Sequence, residues 1–269
     1  MNNSATLFKY TLRDLLRRKS VYLLLAMSVL FVLMLRGCFD GHYLVNGRPM
    51  NPGAVAWVVS RIIFHTVSAG IYVMAALVSM KLFSKDRSDG SLVMVLSRPV
   101  SRWQYVAGRI AGTWFFCLMF MLILHVAILV TVWQKTGTLM PGYLGASLVC
   151  SVNLMFVIAC VCLLTLYLPD FIGVLSTLGL ICVGIVSDGG YRLFHGATLG
   201  SVLSSGADAG PSLWRIFYPK LFMLQLTADS IISGSEFHPM GPVHPIINVL
   251  FFLILIMTAL VMAFNRKEI

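Results

Sequence analysis

The stretch Phe115-Phe116-Cys117-Leu118-Met119-Phe120-Met121-Leu122-Ile123-Leu124-His125-Val126-Ala127-Ile128-Leu129-Val130 holds one histidine and no charged side chain. At its apolar limits it covers 105–133, more than the roughly 20 residues an α-helix needs to cross a bilayer. Working outward, five more stretches read the same way: 21–39, 55–83, 143–168, 171–187 and 246–264. Within hydrocarbon a spanning backbone must satisfy its own hydrogen bonds, so such runs are helices. The prediction is an all-α integral membrane protein with six transmembrane helices, forming one domain over 1–269. Composition agrees: 58% of residues are hydrophobic and 11% charged, against about 45–50% and about 25% in soluble domains. Too few polar groups exist to cover a surface in water, and the short connections leave no room for a separate soluble domain.

The net charge of +10 sits at span ends and forms no stripe interleaved with aromatics. It reads as an orientation signal and a contact with anionic lipid, and no nucleic acid is expected as partner. Lys9, Arg13, Arg17, Arg18 and Lys19 precede the first span. Lys81, Lys85, Arg87, Arg98, Arg102 and Arg109 lie around the connection between spans two and three, and Arg266 and Lys267 follow the last span. They outnumber Arg36, Arg48, Lys135, Arg192, Arg215 and Lys220 on the other side, which makes their side cytoplasmic and puts both termini there. No short apolar core with a small-residue cleavage site follows Met1-Asn2-Asn3-Ser4, so no cleavable leader is expected.

Three segments lie outside the spans. Residues 1–19 carry Phe8, Leu12, Leu15 and Leu16 on one helical face, opposite Lys9, Arg13 and Arg17. They read as an amphipathic helix along the cytoplasmic interface, or as a simple basic anchor. The stretch 84–102 is cytoplasmic. The stretch 188–245 is external and rich in glycine and proline. Within it, Trp214–Ile232 is interrupted by Arg215, Lys220, Gln225 and Asp229 and broken at Pro219, so short external or re-entrant helices fit better than a seventh span.

Catalytic chemistry is sparse. No acid falls mid-span, which argues against a proton- or sodium-coupled carrier. No phosphate loop, nucleophile elbow or His-Glu-x-x-His is present. The cysteines form no Cys-x-x-Cys pair, and with the methionines they read as core filling, so no metal site is expected. The polar groups inside spans are Arg61, His65 and His125. Arg61 and His65 share a helical face and are candidate pathway-lining groups. His65 and His125 lie at similar depth, which leaves an alternative open: axial ligation of haem in a membrane anchor of a respiratory complex.

Between spans two and three the chain reads Ser84-Lys85-Asp86-Arg87-Ser88-Asp89-Gly90-Ser91-Leu92, then Leu96-Ser97-Arg98-Pro99-Val100-Ser101-Arg102-Trp103-Gln104, and enters span three through Gly108-Arg109. Mixed charges, a short apolar turn and an Arg-Pro corner read as a knob that a soluble partner can grip, or as an ordinary basic loop with an interfacial helix. The pattern resembles that of ABC type-2 (ABC-2) transporter permeases: an acid, Gly-Thr, leucine-rich turns, Pro-Val-Ser-Arg and a Gly-Lys. Asp86 stands at the acid, Gly90-Ser91 at Gly-Thr and Gly108-Arg109 at Gly-Lys, while Pro99-Val100-Ser101-Arg102 matches outright. Within the family, the run Arg98–Gln104 is most similar to the permease of the nitrous-oxide reductase maturation exporter.

The resemblance implies a permease subunit without an ATPase site of its own, in a bacterial cytoplasmic (inner) membrane. It would work with two ABC ATPase subunits, which hold the ATP and Mg, and with a second permease copy or paralogue. No cofactor is expected on this chain. Segment 84–102 would couple to the ATPase, with Leu92 and Leu96 seated in its groove and Asp86, Asp89, Arg98 and Arg102 making charged contacts. Gly90 belongs to the same motif, and Pro99 fixes the turn. Segment 188–245 would form external gate helices and a surface for a periplasmic partner. The cycle would drive export, or mechanical work on that partner.

Overall fold

The computed structural model of the chain describes residues 3–17, 22, 26–28, 30–31, 34, 37, 44–45, 48–49, 52–88, 90, 101–137, 140–195, 218–237 and 243–266. In chain order these form α1 (Asn3–Leu16), α2 (Pro52–Ser79), α3 (Leu82–Ser88), α4 (Arg102–Thr136), α5 (Gly142–Tyr167), α6 (Asp170–His195), α7 (Leu221–Ser233) and α8 (Pro245–Arg266). A two-residue antiparallel ladder, Leu44–Val45 with Arg48–Pro49, precedes α2. Among the described residues the fold is otherwise all-α. Among the described residues five helical stretches are long and apolar enough to cross a membrane: Val55–Asp86, Arg102–Thr136, Gly142–Tyr167, Asp170–Gly189 and Pro245–Arg266. Most of the expected first span, 21–39, lies outside the described residues, and the positions described there are helical.

Local chemistry sets the ends. Helix α4 starts at Ser101-Arg102-Trp103-Gln104, where the Ser101 backbone N–H donates to Gln104 Oε1 at 3.3 Å, one half of a capping box. It stops at Gly137, whose φ of 69° lets its N–H reach Trp133 O at 2.8 Å. Leu168 turns extended ahead of Pro169, which divides α5 from α6.

Helix α5 is the pillar. It is apolar on every side, as a helix surrounded by others must be, and it packs on α2, α4, α6, α7 and α8. Cys150, Leu154, Ile158, Val161 and Cys162 in it are fully buried. Helices α6 and α8 flank it and turn large apolar residues outward, among them Phe171, Val183, Ile247 and Phe251, a face suited to lipid. Because lipid tails are as apolar as leucine, close packing rather than water exclusion holds such helices together, and small residues let backbones approach. A Cβ on Gly142 would stand 2.5 Å from Ile231 O of α7.

Two expectations are corrected. Helix α1 is more than a surface float: Leu7, Thr11 and Leu15 are buried as it packs on α4, whereas Leu16, expected on the apolar face, is half exposed. The Thr11 hydroxyl bonds Leu7 O at 2.8 Å, so a polar residue sits in that stripe at no cost. The fifth span also runs on beyond 187 as helix to His195, and Asp188, placed in the external segment, is fully buried and accepts a hydrogen bond from Tyr218. Helix α7 is too short to cross a membrane, as expected of that region, and packs on α5, α6 and α8.

A Cβ on Gly112 would lie 2.8 Å from Thr11 Cβ, while one on Gly70 would meet nothing within 4 Å. Gly112→Val is therefore expected to destabilise the protein by about 1–3 kcal/mol, read as a lowered thermal midpoint of detergent-purified protein, and Gly70→Val to leave the midpoint near wild type.

Candidate functional site

The two ends of segment 84–102 are tied into the bundle by polar contacts. At its start, Asp86 is 6% exposed and accepts hydrogen bonds from Arg109 Nη2 and the Tyr105 hydroxyl, both of α4. Arg109 is itself 3% exposed. Its Nε and Nη1 have no hydrogen-bond partner, but the guanidinium lies 5.4 Å from the Tyr10 ring of α1 and 5.9 Å from the Tyr105 ring, within cation–π range. Beside it, Lys85 pairs with Asp14 of α1 at 3.5 Å, and the Ser84 hydroxyl donates to Asp170 at the start of α6 at 2.8 Å. At the other end, Arg102 donates to Asn265 O at 3.0 Å and Phe264 O at 3.4 Å, closing the last turn of α8, where a cation also suits the helix dipole.

This arrangement alters the reading of Asp86. Its carboxylate faces α4 rather than outward, because a charge at that depth needs a partner and Arg109 supplies one. Gly90 adopts φ 66°, the left-handed conformation that glycine tolerates best. Asp89, Leu92, Leu96, Arg98 and Pro99 lie outside the described residues.

A second polar cluster joins α2 to α7. Arg61 Nε donates to Asp229 Oδ1 at 2.7 Å and Nη2 donates to Oδ2. His65 Nε2 lies 3.2 Å from the same Oδ1. A carboxylate only accepts, so Nε2 carries the proton. Gln225 Nε2 donates to His65 O at 3.4 Å, and the Trp57 ring lies 4.5 Å from the guanidinium. Arg61, His65 and Asp229 line a cavity of about 210 Å³ with Val58, Ile62 and Leu226. Asp229 and Gln225 had counted only as interruptions of a span. The signal that could have found them is an intramembrane arginine, which requires an acid somewhere in the fold.

Among the described residues, the surroundings of His65 and His125 give the haem alternative no support. Phe64 stacks on the His125 ring at 4.1 Å and meets His65 edge-on. Both nitrogens of His125 are engaged, Nδ1 with Ser147 Oγ at 2.6 Å and Nε2 with Ser68 Oγ at 3.3 Å, while His65 Nε2 is taken by Asp229. Axial ligation by His125 would break its bonds to Ser68 and Ser147, next to the buried hydrogen bond of Tyr143 to Ser60, whereas His65 Nδ1 has no hydrogen-bond partner. Among the described residues, no group of three or more His, Cys, Asp or Glu gathers as a metal site.

A bundle of membrane-length helices with a braced polar connection between α3 and α4, and a charged cluster between α2 and a short helix, is the membrane part of a multi-pass protein. The chain belongs to the ABC-2 transporter family: the family model described as ABC-2 family transporter protein matches residues 52–205, more than half of the chain, from α2 through α6. A comparison with curated proteins returns no match. The family's membrane proteins are permeases that in general serve an ABC ATPase.

Breaking the buried Asp86–Arg109 pair from one side leaves a lone charge. Arg109→Met is expected to cost about 3–5 kcal/mol, and the double variant Asp86→Leu/Arg109→Met less than that single change, measured as a double-mutant cycle in thermal midpoint.

Proposed function

We propose that the chain is the permease subunit of an ABC exporter, coupled through segment 84–102 to a separate ATPase. The observation that supports this best is the bracing at the segment's ends: Ser84, Lys85, Asp86 and Arg102 connect it to α6, α1, α4 and α8. A push on a free loop is lost in the loop, whereas a push on a segment tied to four helices moves the bundle. In this reading Leu92 and Leu96 seat in the ATPase groove, and Asp89, Arg98 and Arg102 add charged contacts, with Pro99 fixing the corner. Asp86 serves as the internal brace. Two ATPase subunits and a second permease copy or paralogue complete the transporter, with ATP and Mg on the ATPase.

The same reading has six spans and both termini on the cytoplasmic side of a bacterial inner membrane. The excess of Lys and Arg around 1–19, 81–109 and 266–267 favours that orientation. Arg61 and His65, each with a side chain 28% exposed, line the path, and α7 is part of an external gate. Similarity of Arg98–Gln104 to the nitrous-oxide reductase maturation permeases favours export or mechanical work for a periplasmic partner.

The test is purification from native membranes in mild detergent, with mass spectrometry of what accompanies the chain. A stoichiometric ABC ATPase is expected with the wild type. The double variant Leu92→Asp/Leu96→Asp should insert normally and lose at least nine-tenths of that ATPase, since about 1.4 kcal/mol of lost seating is already tenfold. Unchanged co-purification would remove the coupling role from 84–102.

A further inference from the structure

The Arg61 cluster is built like a receptor for a carboxylate and is occupied by one of the chain's own. The guanidinium grips both oxygens of Asp229, the bidentate geometry that arginine uses for carboxylates in general, and His65 adds a third donor at 3.2 Å. Trp57 backs the guanidinium and leaves its edge to the acid. The site is not sealed: Arg61 and His65 side chains are 28% exposed and Asp229 17%. The adjoining cavity of about 210 Å³ has an apolar wall of Val58, Ile62 and Leu226.

Charge decides what fits. Arg61 and Asp229 cancel. If Asp229 withdraws with α7, a single positive charge is left on α2 in an apolar setting, where an unpaired charge is strongly disfavoured. A monoanion restores neutrality. A cation or an uncharged alcohol does not.

We propose that this cluster is a binding site for a single-chain amphiphile carrying a carboxylate, which replaces Asp229 on Arg61 and His65 and lays its chain along Val58, Ile62 and Leu226. Asp229 is then a built-in plug, and α7 moves when the ligand takes its place. The proposal rests on the reading of Arg61 and His65 as lining the path, and it narrows the cargo to anionic amphiphiles. Its test needs neither ATP nor the ATPase, so its failure leaves the coupling role standing, and loss of the coupling role leaves this binding result intact.

The experiment is a titration of the full chain in phosphatidylcholine nanodiscs with carboxyl-¹³C decanoate, followed by NMR. Decanol and decyltrimethylammonium serve as uncharged and cationic controls. Asp229→Asn removes the plug's charge and keeps its shape. If the plug leaves less than a tenth of wild-type molecules open, the variant binds decanoate at least about tenfold more tightly. Arg61→Gln/Asp229→Asn should lose that binding. Should Asp229→Asn be too unstable to titrate, decanoate and not decanol is expected to raise its thermal midpoint. Equal affinity in wild type and Asp229→Asn, equal binding of decanol, or a midpoint indifferent to decanoate would each overturn the proposal. Full displacement of decanoate by phosphatidylglycerol in the nanodisc would overturn it in favour of a lipid-headgroup site.

Discussion

The ion pair of Asp86 and Arg109, closed by the Tyr105 hydroxyl, is the contact on which the end of the bundle around α1, α3 and α4 depends. Both charges are almost wholly buried, and neither is tolerable there alone. Their pairing joins α3 to α4, and the same guanidinium faces the Tyr10 ring of α1. Around this point the Lys85–Asp14 and Ser84–Asp170 contacts add α1 and α6. The connection between α3 and α4 therefore leaves from a point bonded to three other helices, although connections between helices are ordinarily the least constrained parts of a fold.

The second pair, Arg61 with Asp229, obeys the same rule near the start of α2. At 1.5 Å rise per residue, residues 61 and 86 are separated by roughly 35–40 Å of nearly continuous helix, comparable to the thickness of a bilayer. One helical column thus carries a charge pair toward each end and an apolar middle packed on α5. The two pairs differ in exposure. The one at 86 is sealed and suits a permanent brace, while the one at 61 opens on a cavity and suits a contact that is made and broken. Packed helices shift between discrete arrangements rather than bending continuously, and a column with one fixed and one releasable end fits that behaviour.

Much of the architecture was legible in the residues. Spans 143–168 and 246–264 match α5 (Gly142–Tyr167) and α8 (Pro245–Arg266) almost to the residue, because hydropathy and bilayer thickness act on each segment by itself. The motif from Asp86 to Arg109 pointed to the family that the comparison with family models then established over 52–205. The burial of Asp86 was not legible, since a carboxylate in a charged stretch looks like a surface group until its partner is located. The face of α1 was misjudged because a threonine that bonds its own helix can be buried as readily as a leucine.

What the sequence alone determined is the part governed by local rules: helices where apolar runs are long, and ends where Ser101, Gly137 and Pro169 stand. Tertiary structure alone decided which charges meet. Arg61 and Asp229 are 168 positions apart in the chain, and nothing local links them. Span positions alone give His65 and His125 a similar depth, yet one turns to Asp229 and the other to Ser68 and Ser147. The reason is physical: in a low-dielectric bundle each polar group must find a partner, and the packing of the helices determines which partner lies within reach.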